Sequence, residues 1–567
     1  MKVAICSLNS QYIHSSLAPW CLFSGIKAYA DANLIQATVI EGTINEQETV
    51  LLQRILEVKP DVVSFCTYIW NVSLVLKLTK DIKNFLPQIK IVLGGPEVSY
   101  CAEHVFIENP EIDFILSGEG EYPFAKLMTE LATNTPSLNS VPGLCYRMAN
   151  NEFYIQEPFI ATGDPVSPYS PEYLSTLNGR IAYLETSRGC PYSCAFCLSG
   201  RCGGVRFFDI QKSKENMILL ANSGATTIKL IDRTFNADKK RAYELFSFII
   251  EEYGKRIPKG VCFHFEIAGD ILDDSLLNLL ETAPKGSIQM EIGLQSFNEK
   301  TLESVVRKTN TKRLVHNILA LLKPRNIHVH IDLIVGLPYE DFESFKNSFN
   351  LAYSLYPDML QFGFLKLLYG APMRENKETY PCEFTKEPPY EVTKTPWLSE
   401  KDIELLTDTE SVFDKLYNSG RFHRTIEFLV HVLQTTPFDI FFMFSQYLKK
   451  IHDLKQSMPL DEYTNQLFFY FSSFDQVDKS ALRDVMVCDR FSTNSSNILP
   501  SSLKIQDPNL KKLKTFLATY PKTKLTKNQK RSVAILYSQK QVIYVDYHRP
   551  DVVTGQYPIH RIPFSDF

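Results

Sequence analysis

The chain has 567 residues, 44% of them hydrophobic and 22% charged, with a formal net charge of −4. At about 150 residues per domain this length predicts three or four domains, each with enough apolar content for its own core. The near-neutral balance excludes a global basic field for nucleic acid or anionic membrane and leaves the partner class open.

The first nine residues hold too short an apolar run for a secretory leader and read as a first strand. The first 135 residues alternate short β-branched runs, at 3–8, 37–41, 61–67, 90–94 and 113–117, with helical patterns such as 46–57 and 72–85. This rhythm predicts an α/β domain built on a doubly wound, Rossmann-like parallel sheet. Ligands of such sheets sit beyond the carboxyl ends of the strands. The residues there include Asn9 and His14, then Thr67, Tyr68, Trp70 and Asn71, then Gly94, Gly95, Pro96 and Glu97, and finally Gly118, Glu119, Gly120 and Glu121. Glycines in such loops permit positive φ or close backbone approach to a large ligand, although a Gly-Gly after a strand also serves as an ordinary turn. Residues 136–180 are rich in Pro, Ser and Asn and read as a linker carrying a hairpin at 143–148 and 152–156.

A strand-like stretch at 181–186 leads into Gly189-Cys190-Pro-Tyr-Ser-Cys194-Ala-Phe196-Cys197. A cubane iron–sulfur cluster normally takes four thiolates, so a tight loop that supplies three leaves one iron open to a small molecule, an asymmetry that favours catalysis over electron storage. The alternative is a structural zinc knuckle with Cys202 as fourth ligand, but zinc sites usually pair C-x2-C units and none recurs here. The spacing, with an aromatic residue just before the last cysteine, resembles the signature of radical S-adenosylmethionine (SAM) enzymes. That resemblance implies a [4Fe-4S] cluster on Cys190, Cys194 and Cys197, with SAM chelated at the open iron.

From 181 to 375 the alternation resumes, with strands at 182–186, 227–231, 263–267, 289–293, 328–335 and 359–364 and helices such as 210–223, 239–253 and 301–309. Six βα units match the (β/α)6 partial TIM barrel of radical SAM cores, with the site at the carboxyl ends of the strands. Asp232-Arg-Thr-Phe-Asn236 follows the second strand, as a comparable stretch does in cobalamin-containing members. Phe265-Glu266-Ile267 lies on the third strand, Glu291 and Gln295 on the fourth, and Gly336-Leu-Pro338 follows the fifth. SAM presents an adenine face, a ribose diol and a charged methionine end. Glu291 could accept from the ribose and Gln295 pair with the amino-acid end, against the alternatives of a buried strand-end carboxylate and a surface amide. Phe196 packs on the adenine edge or plugs the loop, and Gly336 and Pro338 shape the loop bordering adenine. Asp232 and Arg233 face the substrate or pair with each other. Arg307 anchors the SAM carboxylate or is an exposed helix position.

Ahead of such a core, the N-terminal loops look like the cobalamin-binding domain of many radical SAM enzymes, with Gly94–Glu97 and Gly118–Glu121 carrying the resemblance. The Asp-x-His-x-x-Gly motif of base-off cobalamin proteins is absent; Tyr12-x-His14-x-x-Leu17 stands in its place. His14 is therefore an axial ligand, a neighbour of one, or a loop histidine capping backbone. Residues 376–567 open on a Pro-rich linker and on Ser399-Glu-Lys-Asp402, a capping box for a helix carrying Ile403, Leu406, Phe413 and Leu416. The region reads as mainly helical with a terminal hairpin at 533–537 and 542–547, and it resembles a family-specific C-terminal domain of unassigned function. Only Cys382 and Cys488 occur there, so one cluster is expected. Lys511, Lys512, Lys514, Lys522, Lys524, Lys527, Lys530 and Arg531 form a basic stretch, with Tyr520 and Tyr537 nearby. A solvated helix face accounts for it more simply than RNA contact, and no nucleic-acid partner is expected.

The resemblance as a whole implies a cobalamin-dependent radical SAM enzyme, most naturally a methyltransferase acting on an unactivated carbon of an unidentified substrate. In that chemistry a one-electron donor such as flavodoxin or ferredoxin reduces the cluster and SAM is cleaved. The 5′-deoxyadenosyl radical takes a hydrogen atom from substrate, and methylcobalamin supplies the methyl. A cyclase, rearrangement or oxidation enzyme using the same cofactors is the neighbouring alternative. A non-catalytic cobalamin or metal sensor is the distant one, and a sensor needs no vacant iron. No apolar stretch approaches the ~18 residues of a spanning helix, and the dispersed cysteines read as reduced thiols, so a cytoplasmic protein without a membrane partner is expected.

Overall fold

A computed structural model of the chain describes residues 1–31, 33–496, 498–519 and 531–563. They fall into two compact units, the first made of Met1–Glu291, Lys300–Asn317 and Phe364–Pro396, the second of Ile292–Glu299, Ile318–Gly363 and Trp397–Phe567.

The first unit opens with β1 (Lys2–Asn9), β2 (Gln36–Thr43), β3 (Val62–Cys66), β4 (Lys90–Gly94) and β5 (Phe114–Leu116), parallel neighbours in the order 2-1-3-4-5. Along β1 the side chains alternate between two cores. Val3 and Ile5 join one with Ile26, Phe124 and Leu127, and Ala4, Cys6 and Leu8 join the other with Leu51, Ile55, Val75, Leu78 and Phe106. A sheet covered on both faces needs near-continuous apolar strands, which is why these runs stand out in the sequence.

The hairpin that the sequence places in a linker instead continues this sheet. β6 (Leu144–Arg147) pairs antiparallel with β5, and β7 (Phe153–Tyr154) with β6. Leu144 enters one core and Cys145 the other, both fully buried. A chain cut after Leu131 would lose buried Val141 and Leu144, a loss of about 3–6 kcal/mol at 1.5–3 kcal/mol per fully buried aliphatic side chain. We expect it to melt well below a chain cut after Ile160, as read by circular dichroism; equal melting temperatures would mean that the hairpin is not part of the domain.

The chain continues through β8 (Ile181–Leu184), β9 (Ser187–Cys190), β10 (Gly204–Phe207), β11 (Thr227–Leu230), β12 (Cys262–Ile267), β13 (Ile288–Gln295), β14 (His328–Val335) and β15 (Met359–Phe364). In the first unit β11 pairs in parallel with β8 on one side and β12 on the other, and β13 lies beyond β12. β9 and β10 form a separate antiparallel hairpin. Two of the helices here start on aspartate caps: Asp209 accepts from Lys212 N and opens Ile210–Ala221, and Asp238 accepts from Arg241 N and opens Lys239–Glu252.

In the second unit β13 runs on beside β14 and β15, again in chain order. The predicted capping box is present: Ser399 accepts from Asp402 N, and Asp402 accepts from Ser399 N at the head of Glu400–Phe413. Phe349, Phe413, Phe438 and Phe441 fill this unit's aromatic core, with edge-to-face pairs at 5.0 Å (Phe349–Phe413) and 5.1 Å (Phe413–Phe441). The terminal hairpin, Arg531–Leu536 with Gln541–Asp546, gains a third strand that the sequence reading missed, Ile559–Pro563. Lys522, Lys524, Lys527, Lys530 and Tyr520 of the basic stretch lie outside the described residues. Among the described residues no single helix is long and apolar enough to cross a membrane; His423–Leu433 and Pro437–Ile451 pass that test only as a pair bent by 101°.

Candidate active site

Cys190 ends β9 and faces Gly204 on β10, so residues 191–203 form the loop of a hairpin. Backbone bonds from outside hold the loop: Ala195 N donates to Val305 O (2.9 Å) and Met373 N to Ala195 O (3.0 Å), while Cys197 N closes a turn onto Cys194 O (3.0 Å). Cys190, Cys194 and Cys197 are free thiols, Cys194 buried and the other two half-buried. Burial pushes the Cys194 thiol up, Arg307 pulls it down, and Cys197 and Cys190 stand close enough to push it up further. Each sulfur meets a different polar group. Cys190 Sγ lies 3.4 Å from Thr234 Oγ1, Ser199 N donates to Cys197 Sγ at 3.4 Å, and Arg307 Nη1 donates to Cys194 Sγ at 3.7 Å. Three unpaired thiols with donors around them suit the thiolates of a cluster. Phe196 is half-buried between them. The side chain of Cys202 lies outside the described residues. Arg307 follows the helix Glu299–Ser304 on irregular backbone and turns to Cys194, so it does not occupy an exposed helix position.

The stems of this hairpin carry a buried charge cluster that the sequence reading missed. Arg188, paired with Arg206 across the β9–β10 ladder, donates to Glu119 (2.5 Å), Glu121 (2.6 Å) and Glu185 (2.8 Å). Arg206 donates to Glu119 at 2.6 Å and also to Ala161 O. Burial pushes Glu121 up, but Arg188 outweighs it and leaves the carboxyl below its ordinary range; Glu185 stays raised by burial, and Arg188 is held charged. Glu119, Glu185, Arg188, Arg206 and Arg233 line a cavity of about 390 Å³ beside the cysteine loop.

The loops after β1, β3, β4 and β5 come to one edge of the N-terminal sheet, where the sequence reading places the cofactor. Asn71 knits that edge: its Nδ2 donates to Leu8 O and Cys66 O, both at 3.0 Å, and its Oδ1 accepts from Tyr68 N at 2.8 Å. Trp70 donates to Leu8 O at 3.1 Å and stacks on Tyr68, with ring centroids 4.4 Å apart and planes 5° from parallel. Trp70 remains 47% exposed, so the pair offers a flat aromatic surface to a large ligand. Thr67 is buried, Pro96 is exposed, and Asn9 Nδ2 donates to Glu41 at 3.4 Å. Gly95 (φ +116°) and Gly118 (φ +92°) need their freedom for the protein's own backbone: a Cβ would meet Thr67 O at 2.4 Å and Phe159 O at 2.2 Å. At Gly120 it would meet Leu22, whereas Gly94 has room. Glu97 is buried, raised by burial, and accepts from the Tyr390 hydroxyl. Glu97, Glu119 and Glu121 therefore already hold protein partners. His14 is half-buried with Nδ1 2.7 Å from Tyr183 Oη, and burial, then Lys229 and Arg180, lower its pKa.

Along the core strands, Asp232 accepts from Thr186 N (3.0 Å), Thr186 Oγ1 (2.7 Å) and Ser187 Oγ (2.5 Å), and burial holds its carboxyl up at about 6. It fastens the entrance to β9 and does not pair with Arg233, which reaches Glu266 at 3.7 Å. Glu291 lies 3.0 Å from both Lys229 Nζ and His264 Nε2. In the second unit Gln295 has φ +70°, and its Oε1 is buried without a partner among the described residues. An N–H donor of bound SAM suits such an orphaned acceptor. Gly336 (φ +93°) and Pro338 follow β14. Two residues on, Glu340 accepts from Ser296 (2.5 Å) and Ser348 (3.0 Å), and burial pushes its carboxyl up to about 7.

Residues 24–128 match the B12 binding domain, 184–352 the Radical SAM superfamily, and 378–552 a family described as a protein of unknown function (DUF4080). The chain thus carries, in order, a B12 binding domain, a radical SAM domain and a DUF4080 domain. The cofactors that go with the first two domains are cobalamin, a [4Fe-4S] cluster and SAM. The chain is similar to the cobalamin-dependent radical SAM methyltransferase TokK of Streptomyces tokunonensis, 26% identical over 410 residues that cover 68% of this chain and 59% of TokK. It is also similar to an anaerobic magnesium-protoporphyrin IX monomethyl ester cyclase of Rubrivivax gelatinosus, 27% identical over 352 residues, 59% of this chain and 61% of the cyclase. The chain thus spans about three fifths of the length of these relatives. Among solved structures, the cobalamin-dependent SAM radical enzyme OxsB with aqua-cobalamin bound has a TM-score of 0.61 at 16% identity, covering 91% of this chain and 81% of OxsB, a likeness of fold.

Proposed function

We propose that the chain is a cobalamin-dependent radical SAM methyltransferase that methylates an unactivated carbon of a small-molecule substrate. It works in the cytoplasm with a one-electron donor such as flavodoxin or ferredoxin. The observation that carries this reading is the three-thiol hairpin loop, in the same compact unit as the N-terminal sheet edge with its Tyr68–Trp70 surface. When bound, the cluster with SAM supplies radical cleavage and cobalamin supplies a transferable methyl group. Cys190, Cys194 and Cys197 would hold the cluster, with Phe196 shielding it. Asp232 and Arg188 keep the strand that carries Cys190 in place. Gln295 Oε1 would accept from SAM, Gly336 and Pro338 would border its adenine, and Glu291, through Lys229 and His264, shapes the strand end. The Asn9, His14, Thr67–Asn71, Gly94–Glu97 and Gly118–Glu121 positions form the cobalamin edge, with His14 committed to Tyr183 on one nitrogen. Domain limits at 180 and 375 belong to this proposal, while the expected limit at 135 moves beyond the β6–β7 hairpin that continues the N-terminal sheet.

Anaerobic reconstitution with iron, sulfide and cobalamin, followed by chromatography of SAM products, tests it. Both 5′-deoxyadenosine and S-adenosylhomocysteine are expected. 5′-Deoxyadenosine alone would replace methyl transfer by rearrangement or oxidation, and intact SAM would overturn the radical reading.

A further inference from the structure

The three cysteines of the loop do not share one environment. Cys197 Sγ receives a backbone amide from within the loop, Ser199 N at 3.4 Å. Cys194 Sγ receives a guanidinium from outside it, Arg307 Nη1 at 3.7 Å. Cys190 Sγ lies 3.4 Å from the hydroxyl of Thr234, which also donates to Arg233 O at 2.8 Å. With a thiol at 190 the S–H can donate to that hydroxyl while its proton stays on Arg233 O; with a thiolate that one proton turns from Arg233 O to the sulfur. Hydrogen bonds to cluster sulfurs withdraw negative charge and favour the reduced, more negative state, so they raise the reduction potential. A charged donor counts roughly twice a neutral one.

We propose that Thr234, Ser199 and Arg307 act as a set of one donor per cluster thiolate that raises the cluster's reduction potential, Arg307 contributing most. All three are positioning residues; none needs to touch substrate. The proposal rests on the reading of Cys190, Cys194 and Cys197 as cluster ligands. Two of the three donors, Thr234 and Arg307, lie in loops after β11 and after the helix Glu299–Ser304 that carry no ligand themselves, while Ser199 belongs to the cysteine loop.

The test is a redox titration of the full-length, reconstituted protein without SAM, followed by electron paramagnetic resonance, with iron counted in every sample. Arg307→Gln should keep its iron and lower the ratio of reduced to oxidised cluster at a fixed potential about tenfold, equivalent to 59 mV for a one-electron couple. Arg307→Lys, which restores the charge, should recover at least half of that shift. Thr234→Val should lower the ratio roughly threefold and stands in where Arg307→Gln does not fill with iron. A filled variant at either position whose midpoint equals that of the unaltered protein overturns the proposal. An unaltered protein that takes up no cluster would instead overturn the reading of the cysteines.

Discussion

Replacing any one of Cys190, Cys194 and Cys197 by Ala should abolish the brown absorbance of a cubane centre after reconstitution, together with all SAM cleavage. A three-thiolate site has no spare ligand, and the loss of one leaves two irons without protein bonds. The loop's ends are fixed by the Cys190↔Gly204 register, and Ala195 within it is bonded to Val305 and Met373, so the remaining ligands have little freedom to rearrange. Cys202→Ala should leave iron content and cleavage largely intact. Were Cys202 as necessary as the other three, a fully ligated cluster or a zinc site would take the place of the open one.

Arg188→Ala should destabilise the protein by about 3–5 kcal/mol, the cost of removing one partner from a buried ion cluster. Its side chain is 17% exposed and bridges three carboxylates that are 10–15% exposed. Without it Glu185 and Glu121 lose their nearest cation, and Glu119 keeps only Arg206. Those acids can stay in place only by taking up protons, so the loss should be larger at pH 8 than at pH 5. Chemical denaturation of the variant and the parent at both pH values measures this. A difference below ~1 kcal/mol at pH 8 would mean that the cluster is solvated and worth no more than a surface pair.

The cysteine loop and Arg188 show how legible the chain is. The cysteine spacing is local, and so is the apolar run of each strand; Val72–Phe85 and Lys90–Gly94 occur at the limits that periodicity predicts. What the sequence cannot display is a partner far along the chain. Glu119 and Glu121 look like ligand-loop acids because they sit beside glycines, yet their arginine lies 69 and 67 residues away, and the Tyr390 hydroxyl on Glu97 is 293 residues away. Leu144–Arg147 reads as an isolated hairpin because nothing in its own composition reveals the edge of β5. Arg188 itself carried a signal that could have been used: a cation two residues before the first cysteine, in a strand otherwise made of small and polar residues. Glu340 had none beyond its place after Gly-Leu-Pro.

The first unit is assembled from three separate stretches of chain, the last of which ends at Pro396. On the ribosome, then, the cysteine loop is synthesised long before it can be finished, since Met373 N must arrive to bond Ala195 O, and Tyr390 to meet Glu97. At about 5–20 residues per second that wait runs roughly from 10 to 35 s. During it the thiols stand on an incomplete scaffold, open to oxygen and to stray metal ions. Slow translation between the codons of Cys197 and Met373 should therefore lower the yield of filled protein more than the same delay after Pro396.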